Sequence, residues 1–487
     1  MPSFSRFLTL AAAGVATLLI LLDRVLAQDD GGNLKAGAAA VDISPTVKPF
    51  QLRSGKSEHV HDPLHVRAVA FENGEGRAVI ALIDAIGTGR DDTDEAKRVA
   101  SEKTGWRPEQ MMISATHTHS APKGGDTSPG RIAYDKLRRD GMAQALIQAI
   151  ESIQPAEVGF ASDVESSEVY NRRWYLKPGT MDPNPLGGLD QVRTNAPRQN
   201  LEKPAGPTDP EVPVIYARSS RGKPIGLIAN YALHYVGGIP KVKEENGRVV
   251  GMASADYYGE FARIMPYRVG GYNPPEGFVA FITNGASGDI NNIDFHQTRP
   301  PREPFEQCRI VARKTADAAW RAVKKIEDYD QQPVIATLQR EVALEYRRPS
   351  QKEIEMAMKM LKLPRNEREE INKRASSVST RVVEFSGPDR PEPMLVLIQA
   401  FRIGDQAVVS LPFEVFVEIG LEIKEKSPFP HTILVELANG SHGYLPTPEQ
   451  HELGGYETWI GVARFQKEAS EILMENLLEM LRELWAK

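Results

Sequence analysis

Hydrophobic and polar residues alternate along most of this chain with two periods, one typical of strands and one typical of helices. Short apolar runs such as RAVAFEN, MMISAT and GFVAFITN predict strands. Between them, longer segments with apolar residues every three or four positions predict helices, the clearest being EQCRIVARKTADAAWRAVKKI. Because strands and helices are interspersed, the pattern predicts an α/β fold with one large mixed-sheet domain surrounded by helices.

Two further helical segments lie in the C-terminal third. The segment SQKEIEMAMKMLKLPRNEREEINKRA is charged and is broken at Pro364, so we predict a surface helical insertion over about 350–376. Met356 and Met360 lie one turn apart in it, which favours packing over a cofactor or partner site. The final segment, RFQKEASEILMENLLEMLRELWAK, predicts an amphipathic helix that packs on the sheet, with partner binding as the alternative.

The N-terminus has the pattern of a targeting segment. Arg6 precedes the apolar run FLTLAAAGVATLLILL, and the small residue Ala27 precedes a polar stretch, as in secretory signal peptides. The run is short for a transmembrane helix, which needs about 20 residues. We therefore expect a signal peptide over 1–27 and an exported protein (periplasmic, secreted or at the cell surface) whose domain spans 34–487. A retained membrane anchor is the alternative, and a mature N-terminus at Gln28 would exclude it.

Composition and missing motifs exclude several classes of protein. The 487 residues include 59 basic and 65 acidic residues, a net charge of -6, which argues against nucleic acid as a partner. Cys308 is the single cysteine, so neither an intrachain disulfide nor a cysteine-rich zinc site can form. The G-x-S-x-G, H-E-x-x-H and phosphate-loop motifs are absent. Any metal must be bound by His, Asp, Glu or Tyr.

Candidate metal ligands occur where predicted strands end. His117 and His119 follow MMISAT, His234 ends GLIANYALH, Glu414 follows AVVSLPF, and Tyr444 follows HTILVELANG. Strand ends are common ligand sites in α/β sheets. If these ends converge, His117, His234, Glu414 and Tyr444 form the ligand set of a divalent metal ion. In a continuous strand the two histidines of HTH would share one face; two structural histidines, one buried and one exposed, are the alternative.

A second histidine-rich segment competes with this assignment. The stretch SEHVHDPLH contains His59, His61, Asp62 and His65 at spacings that permit metal binding. Pro63 and the loop context favour a hydrogen-bonded turn at least as strongly. The strand-end set is preferred because its members recur at equivalent positions, whereas this segment is a single loop.

A series of motifs extends from about residue 36 to 458, in the order AGAAAVDISP, HDPLHVRAVAF, ATHTHSAP, YNRR, DPEVPVI, NYALH, NGASGDINN, LPFE and NGSHGYLPTPEQHELGGYET. Together they resemble the N-terminal catalytic domain of the neutral/alkaline (non-lysosomal) ceramidase family, as a divergent bacterial-type member. The resemblance implies a zinc-dependent hydrolase that cleaves an amide C–N bond, with N-acylsphingosine or a related lipid amide as substrate. It also allows peripheral contact with a membrane. Members commonly carry a C-terminal immunoglobulin-like domain, which we do not expect within this chain.

The resemblance assigns roles to individual residues. It implies a zinc ion bound by four residues, His117, His234, Glu414 and Tyr444. It implies that His119, Arg172 and Tyr456 lie beside the metal and contact the scissile amide, although Arg172 and Arg173 are adjacent and the choice between them is open. Zinc lowers the pKa of a bound water from about 15.7 to about 7. An imidazole such as that of His119 can pass a proton to the leaving amine, and the other two side chains would stabilise the developing oxyanion.

Some positions depart from the family pattern. Asn291 occupies the place of a family serine in GDINN; it can form hydrogen bonds in the site but cannot act as a hydroxyl nucleophile or proton relay. Ser287 could compensate, with a plain loop serine as the alternative. Phe413 replaces a family glycine and should reshape the pocket wall. Asp84 and Asp289 either orient metal-ligating histidines or cap loops. The motifs therefore support the metal site more strongly than they support ceramide as the substrate.

Two other functions remain open from the sequence. One is a hydrolase of a different amide or of an ester. The other is a zinc-bearing surface or binding protein that kept the metal and lost turnover with the serine-to-asparagine change at Asn291.

Overall fold

The computed structural model describes residues 34–122, 129–387 and 391–487, and the predicted signal peptide, 1–27, lies outside these ranges. No helix within them is long and apolar enough to cross a membrane. The described strands are, in chain order, β1 (Lys35–Asp42), β2 (Phe50–Leu52), β3 (Gly55–Ser57), β4 (His65–Asn73), β5 (Gly76–Ile83), β6 (Met111–Ala115), β7 (Gln154–Val164), β8 (Tyr170–Asn171), β9 (Arg173–Leu176), β10 (Val192–Thr194), β11 (Leu201–Pro204), β12 (Glu211–Ser219), β13 (Pro224–Tyr231), β14 (Val242–Lys243), β15 (Val249–Val250), β16 (Val279–Asn284), β17 (Ile290–Asn291), β18 (Ile335–Leu344), β19 (Met394–Ile403), β20 (Gln406–Leu411), β21 (Glu414–Val415), β22 (His431–Glu436) and β23 (Tyr444–Leu445). The described α-helices are α1 (Arg90–Thr104), α2 (Pro129–Glu151), α3 (Asp256–Gly270), α4 (Glu306–Lys324), α5 (Gln351–Lys362), α6 (Arg365–Ile371), α7 (Ala375–Ser386), α8 (Val417–Lys426), α9 (Pro448–Leu453) and α10 (Ala469–Trp485).

Two mixed sheets form the centre of the fold. The larger has eight strands in the order β16-β13-β12-β7-β1-β4-β5-β6. Its neighbours are antiparallel except near the two edges, where β13 pairs with β16 and β5 with β6 in parallel. The smaller sheet, β18-β19-β20-β22, also ends in a parallel pair, β20 and β22. This arrangement confirms the predicted α/β class with a large mixed sheet.

The two sheets face each other, and helices cover their outer faces. In β4, Val66 and Ala68 pack on the side of α1 and α2, whereas Val69 and Phe71 pack toward the smaller sheet. Side chains at i and i+2 point to the same face, so a strand covered on both sides is apolar throughout. Helices α3 and α4 extend the outer layer over β12, β13 and β16, and α8 and α10 cover the smaller sheet.

The edges of the large sheet approach each other where β6 and β16 end. The backbone N–H of Asn439, just past β22, donates to the carbonyl of Ile113 in β6. From the other edge, the side chain of Asn284 at the end of β16 donates to the carbonyl of Thr116, just past β6, at 3.1 Å. Strand ends that are distant in the sheet order are therefore close in space.

The helical insertion extends beyond its predicted boundary. Helices α5 and α6 break near Pro364 as expected, but α7 follows them and continues to Ser386 rather than ending near 376. Buried Val378 and Val382 of α7 pack with Ala357 of α5, which explains why the third helix belongs to this unit. The final helix, α10, packs on the smaller sheet as predicted.

Candidate metal centre

The HTH pair is brought together by a turn and not by strand alternation. Strand β6 ends at Ala115, and His117 has a positive φ of 64°, in the left-handed region. The prediction that both histidines share one face of a continuous strand is therefore wrong. The turn nevertheless places His117 Nε2 and His119 Nε2 3.2 Å apart. A non-glycine residue held at positive φ is strained, and such strain is concentrated at functional sites.

His117 is oriented by the backbone. Its Nδ1 lies 2.7 Å from the carbonyl oxygen of Ile86, which can only accept a hydrogen bond. Nδ1 therefore carries the proton, and Nε2 presents a lone pair to the site. Metal-ligating histidines are commonly fixed in this way.

Two buried atoms opposite this lone pair have no hydrogen-bond partner. They are Nδ1 of His234, which follows the end of β13, and Oε2 of Glu414. Glu414 Oε2 lies 3.5 Å from His117 Nε2 and 3.9 Å from His234 Nδ1. Ligand atoms on one tetrahedral zinc ion lie about 3.3 Å apart. Buried polar atoms are rarely left unpaired, so the donor set and its spacing fit a divalent metal ion.

Glu414 and Tyr444 are aligned by a short parallel pairing of β21 and β23 in which the two residues are partners. The Tyr444 hydroxyl is one of the groups that hold the pKa of Glu414 below its usual range. On the other side, Gly288 approaches the backbone of Glu414 so closely that a Cβ would lie 2.6 Å from its carbonyl oxygen. Gly288, the second glycine of GASGD, thus lets this loop pack against the strand that carries the carboxylate.

The structure places the four predicted ligands close together, and His119 lies beside them, the position that the resemblance implied. The imidazole nitrogens of His117, His119 and His234 offer ligand atoms within 4.8 Å of one another. The division between ligands and neighbours among these three histidines stays a prediction.

His119 is held from two other sides. Arg53 Nη1 lies 3.2 Å from His119 Nδ1, and the ring of Tyr235 stacks on His119 with centroids 3.7 Å apart. Arginine can only donate, so the neutral His119 ring accepts at Nδ1 and carries its proton on Nε2, facing His117. His119 therefore presents a hydrogen-bond donor to the cluster.

The two adjacent arginines have different surroundings. Arg172 donates to Tyr444 Oη at 3.0 Å and to Glu457 at 2.9 Å. Arg173 also pairs with Glu457, at 3.0 Å, but its other bonds go to Gln450 and to backbone carbonyls. Of the two, Arg172 is the one that reaches the cluster, and Arg173 is fully buried in the supporting structure.

Tyr456 and Asn291 differ in how they are placed relative to the candidate ligands. The Tyr456 ring meets that of Tyr444 edge-on, with centroids 5.7 Å apart, and Arg374 from the helical insertion lies over its face. Asn291 donates to Asn195 at 2.7 Å and accepts a backbone hydrogen bond, so the hydrogen bonds of its side chain do not reach the candidate ligands.

Burial and neighbouring charges shift the pKa values of the titratable groups in the site. Burial alone would lower the pKa of His117, but the Glu414 carboxylate raises it above its ordinary value. Burial opposes ionisation of Glu414, yet His117 and Tyr444 hold its pKa below the usual range. Burial, with His117 and Arg53, lowers the pKa of His119 to about 2, so this ring is neutral. Burial and the Glu414 carboxylate raise the pKa of Tyr444.

The supporting residues are largely structural. Ser287 Oγ donates to buried Glu436 at 2.6 Å, and Glu436 also accepts from the backbone of Val415, which favours the loop-serine interpretation of Ser287. Asp289 accepts from the backbone of Val417 at the start of α8, a loop-capping role. Asp84 pairs with Arg67 at 2.8 Å. Neither carboxylate orients a candidate ligand through these bonds.

Phe413 does not form the pocket wall expected from its replacement of a family glycine. It is fully buried and packs against Phe465 and His442. Its ring therefore belongs to the core beneath the smaller sheet.

The competing segment does not form a metal cluster among the described residues. His61 stacks on Phe305 with centroids 3.5 Å apart, and His65 Nδ1 accepts from Arg67. Asp62 accepts from the backbone N–H of Ala255. This is the hydrogen-bonded loop that was the alternative for this segment.

Four residues of the site had no signal strong enough to be selected from the sequence. Glu457 follows Tyr456 in the motif GGYET, and its place in a motif already selected was the only signal for it. Glu436 lies inside the predicted strand HTILVELANG, and only in the structure does it end β22. Arg53 and Tyr235 lie in a turn and a loop of ordinary composition, and only the fold brings them to His119.

Two solved structures share this architecture. A neutral ceramidase from Pseudomonas aeruginosa aligns with 93% of this chain and 75% of its own length, at 17% identity and a TM-score of 0.66. A ceramidase complexed with C2 aligns with 93% of this chain and 76% of its own, at 16% identity and a TM-score of 0.66. The chain has the neutral ceramidase fold. This finding confirms the fold that the motif resemblance implied.

No protein-family model matches the sequence, and no curated protein matches it significantly. This chain therefore has the neutral ceramidase fold at low overall sequence identity to the two solved structures. Its sequence resemblance to the family lies in short motifs. Those motifs include the residues that the fold gathers at the strand ends, His117, His234, Glu414 and Tyr444.

Proposed function

We propose that this chain is a zinc-dependent hydrolase that cleaves the amide C–N bond of an N-acylated amine. One observation carries the proposal. His234 Nδ1 and Glu414 Oε2 are buried without hydrogen-bond partners beside the Nε2 lone pair of His117, in a chain with the neutral ceramidase fold. Hydrolysis splits the amide and one water into a carboxylic acid and an amine.

The donor set supports zinc as the metal. Two imidazoles, a carboxylate and a phenol, from His117, His234, Glu414 and Tyr444, are nitrogen and oxygen ligands of the kind that zinc accepts in tetrahedral sites. Bound there, zinc would supply Lewis acidity toward the amide carbonyl and an activated water. Other first-row metals prefer overlapping ligand sets, and metal replacement therefore belongs in the test.

The other side chains have distinct tasks in this proposal. His119, with its proton on Nε2, donates a hydrogen bond to the reacting carbonyl group. Arg172 holds Tyr444 through the 3.0 Å bond to its hydroxyl and adds positive charge where the oxyanion develops. Tyr456 lies next to Tyr444 and contributes its hydroxyl to substrate orientation. Asn291 bonds to Asn195 and supports the loop without taking part in proton transfer.

The substrate is an N-acyl compound with a short enclosed part. The cavity beside His119 has a volume of about 250 Å³, and one bordered by Tyr456 has about 180 Å³. Both are below the range of about 300–1,000 Å³ typical of ligand pockets. They suit an amide with its head group, while a long alkyl chain would extend along the surface. Export directed by the N-terminal segment is also part of the proposal, and its support is the signal-peptide pattern of residues 1–27.

The test is hydrolysis of a panel of N-acyl amines before and after metal removal. We expect fatty-acid release that a chelator abolishes and zinc restores. Glu414→Gln should lower kcat/KM by more than about 100-fold, the loss caused even by removing a residue that supports a metal ligand. Asp62→Asn is the matched control, since it changes a carboxylate of the other histidine-rich segment and should keep full activity. An unchanged rate after chelation would contradict metal dependence, and bound zinc without turnover would favour a binding protein.

A further inference from the structure

A cavity beside His119 carries two positive charges. This cavity of about 250 Å³ is lined by His119 and by Arg53 and Lys241, which approach from different loops. Arg53 belongs to the turn between β2 and β3. The facing loop holds this turn, since the N–H of Gly251 donates to Ser54 Oγ at 3.1 Å. The turn that carries Arg53 is therefore tied to the facing loop.

Neither cation is neutralised within the described residues. The one polar contact of Arg53 in the described structure is with His119 Nδ1, and neither Arg53 nor Lys241 forms an ion pair there. Nearby arginines differ: Arg248 on the facing loop pairs with Glu244 at 3.0 Å. In a chain with more acidic than basic residues, two cations that have no ion-pair partner in the described part of the chain, beside a candidate catalytic histidine, favour the binding of an anion.

The position of Arg53 indicates which part of a substrate would carry that anion. His119 Nε2 faces His117 while Nδ1 faces Arg53, so the guanidinium lies across one imidazole ring from the metal-ligand cluster. Only one of its N–H donors is used by His119, which leaves the others free to bind a carboxylate. When the amide carbonyl is at the cluster, a carboxylate on the carbon next to the amide nitrogen would be the group that meets this guanidinium, on the far side of the His119 ring.

We propose that the amine part of the substrate carries a carboxylate, so that the substrate is an N-acyl amino acid and not a neutral N-acyl amino alcohol. This inference rests on the proposed function. The amide C–N bond breaks, water supplies hydroxyl to the acyl carbon and hydrogen to the nitrogen, and a fatty acid and a free amino acid leave. Arg53 and Lys241 bind the carboxylate throughout and take no part in bond breaking.

The experiment compares N-octanoylglycine with N-octanoylethanolamine, which have the same acyl chain and differ in the carboxylate. For the metal-loaded wild type we expect kcat/KM to be at least about tenfold higher for the glycine compound, as charge-assisted hydrogen bonds predict. R53Q should reduce this ratio about tenfold, and K241Q should reduce it by a smaller factor. R248Q, a neighbouring paired arginine, should leave the ratio unchanged. The ratio cancels any general loss of activity that R53Q causes through His119.

A ratio near one in the wild type, or one that R53Q leaves unchanged, would overturn the inference while leaving amide hydrolysis intact. Calorimetric titration with the same two compounds separates the two proposals. If neither compound nor any member of the N-acyl amine panel is hydrolysed, the proposed function fails, and tighter binding of the glycine compound that R53Q abolishes still supports an anion site. Equal binding of both compounds would overturn the anion site as well.

Discussion

Two H-x-H pairs occur in this chain, and they have opposite surroundings. In HTH, His117 and His119 approach to 3.2 Å and meet His234 from another strand end. In HVH, His61 stacks on Phe305, and His59 faces Glu244 at 3.8 Å. Spacing is the same in both pairs. The difference is that among the described residues the first pair faces two buried unpaired atoms that can ligate a metal, His234 Nδ1 and Glu414 Oε2, and the second pair belongs to no such ligand group.

Both regions also contain a buried arginine–carboxylate pair and a histidine whose Nδ1 accepts from an arginine. Arg67 pairs with Asp84 at 2.8 Å, and Arg172 pairs with Glu457 at 2.9 Å. The same interaction therefore supports the fold in one region and the candidate centre in the other. Only Arg172 also reaches Tyr444, a candidate ligand.

The largest effect should come from removing these two arginines. Arg67→Met leaves Asp84 without its ionic partner and should lower the free energy of unfolding by about 3–5 kcal/mol. Arg172→Met leaves Glu457 still paired with Arg173, so it should cost less stability. Loss of the Arg172 guanidinium should instead lower kcat by about 10²–10³-fold, the effect of removing one group that stabilises developing charge. Urea unfolding and steady-state kinetics on both variants measure the two effects.

The comparison would fail if the two variants lost stability and turnover in the same proportion. Arg172→Lys is a useful companion, because it keeps the charge but cannot contact both Tyr444 and Glu457 with a planar fork. It should recover stability more fully than turnover.

A smaller effect is expected from the pH dependence of the second region. Burial and the Arg67 cation lower the pKa of His65 below its ordinary value of 6.5. The unfolded chain then binds this proton more readily than the folded chain, so stability falls as the pH drops below about 6.5. His65→Asn keeps an acceptor for Arg67 but cannot titrate. The free energy of unfolding should therefore vary less steeply with pH between 6.5 and about 5, and identical slopes in both proteins would contradict this account.

Local patterns were sufficient to predict most of the fold. Apolar periods of two and of three to four residues predicted the main strands and helices, because buried strands and amphipathic helices impose those periods. Helix α7 was missed, since its sequence ASSVSTRVVEFS is rich in serine, threonine and valine, which are weak helix formers. It is stabilised by packing of Val378 and Val382 against α5.

The candidate site was predictable only in part. The recurrence of His117, His234, Glu414 and Tyr444 after apolar runs was visible, because strand ends are local features. The left-handed turn at His117 was not, since a positive φ at a non-glycine residue has no sequence signal. Contacts such as that of Arg53 with His119 depend on segments 66 residues apart meeting in the folded chain.

The most direct test of the account is the metal content of three purified proteins, the wild type, His117→Ala and His61→Ala, measured by mass spectrometry with thermal unfolding as the control for folding. The account predicts about one metal ion per chain in the wild type and in His61→Ala, and almost none in a folded His117→Ala. Metal retained by His117→Ala, or lost from His61→Ala, would contradict it.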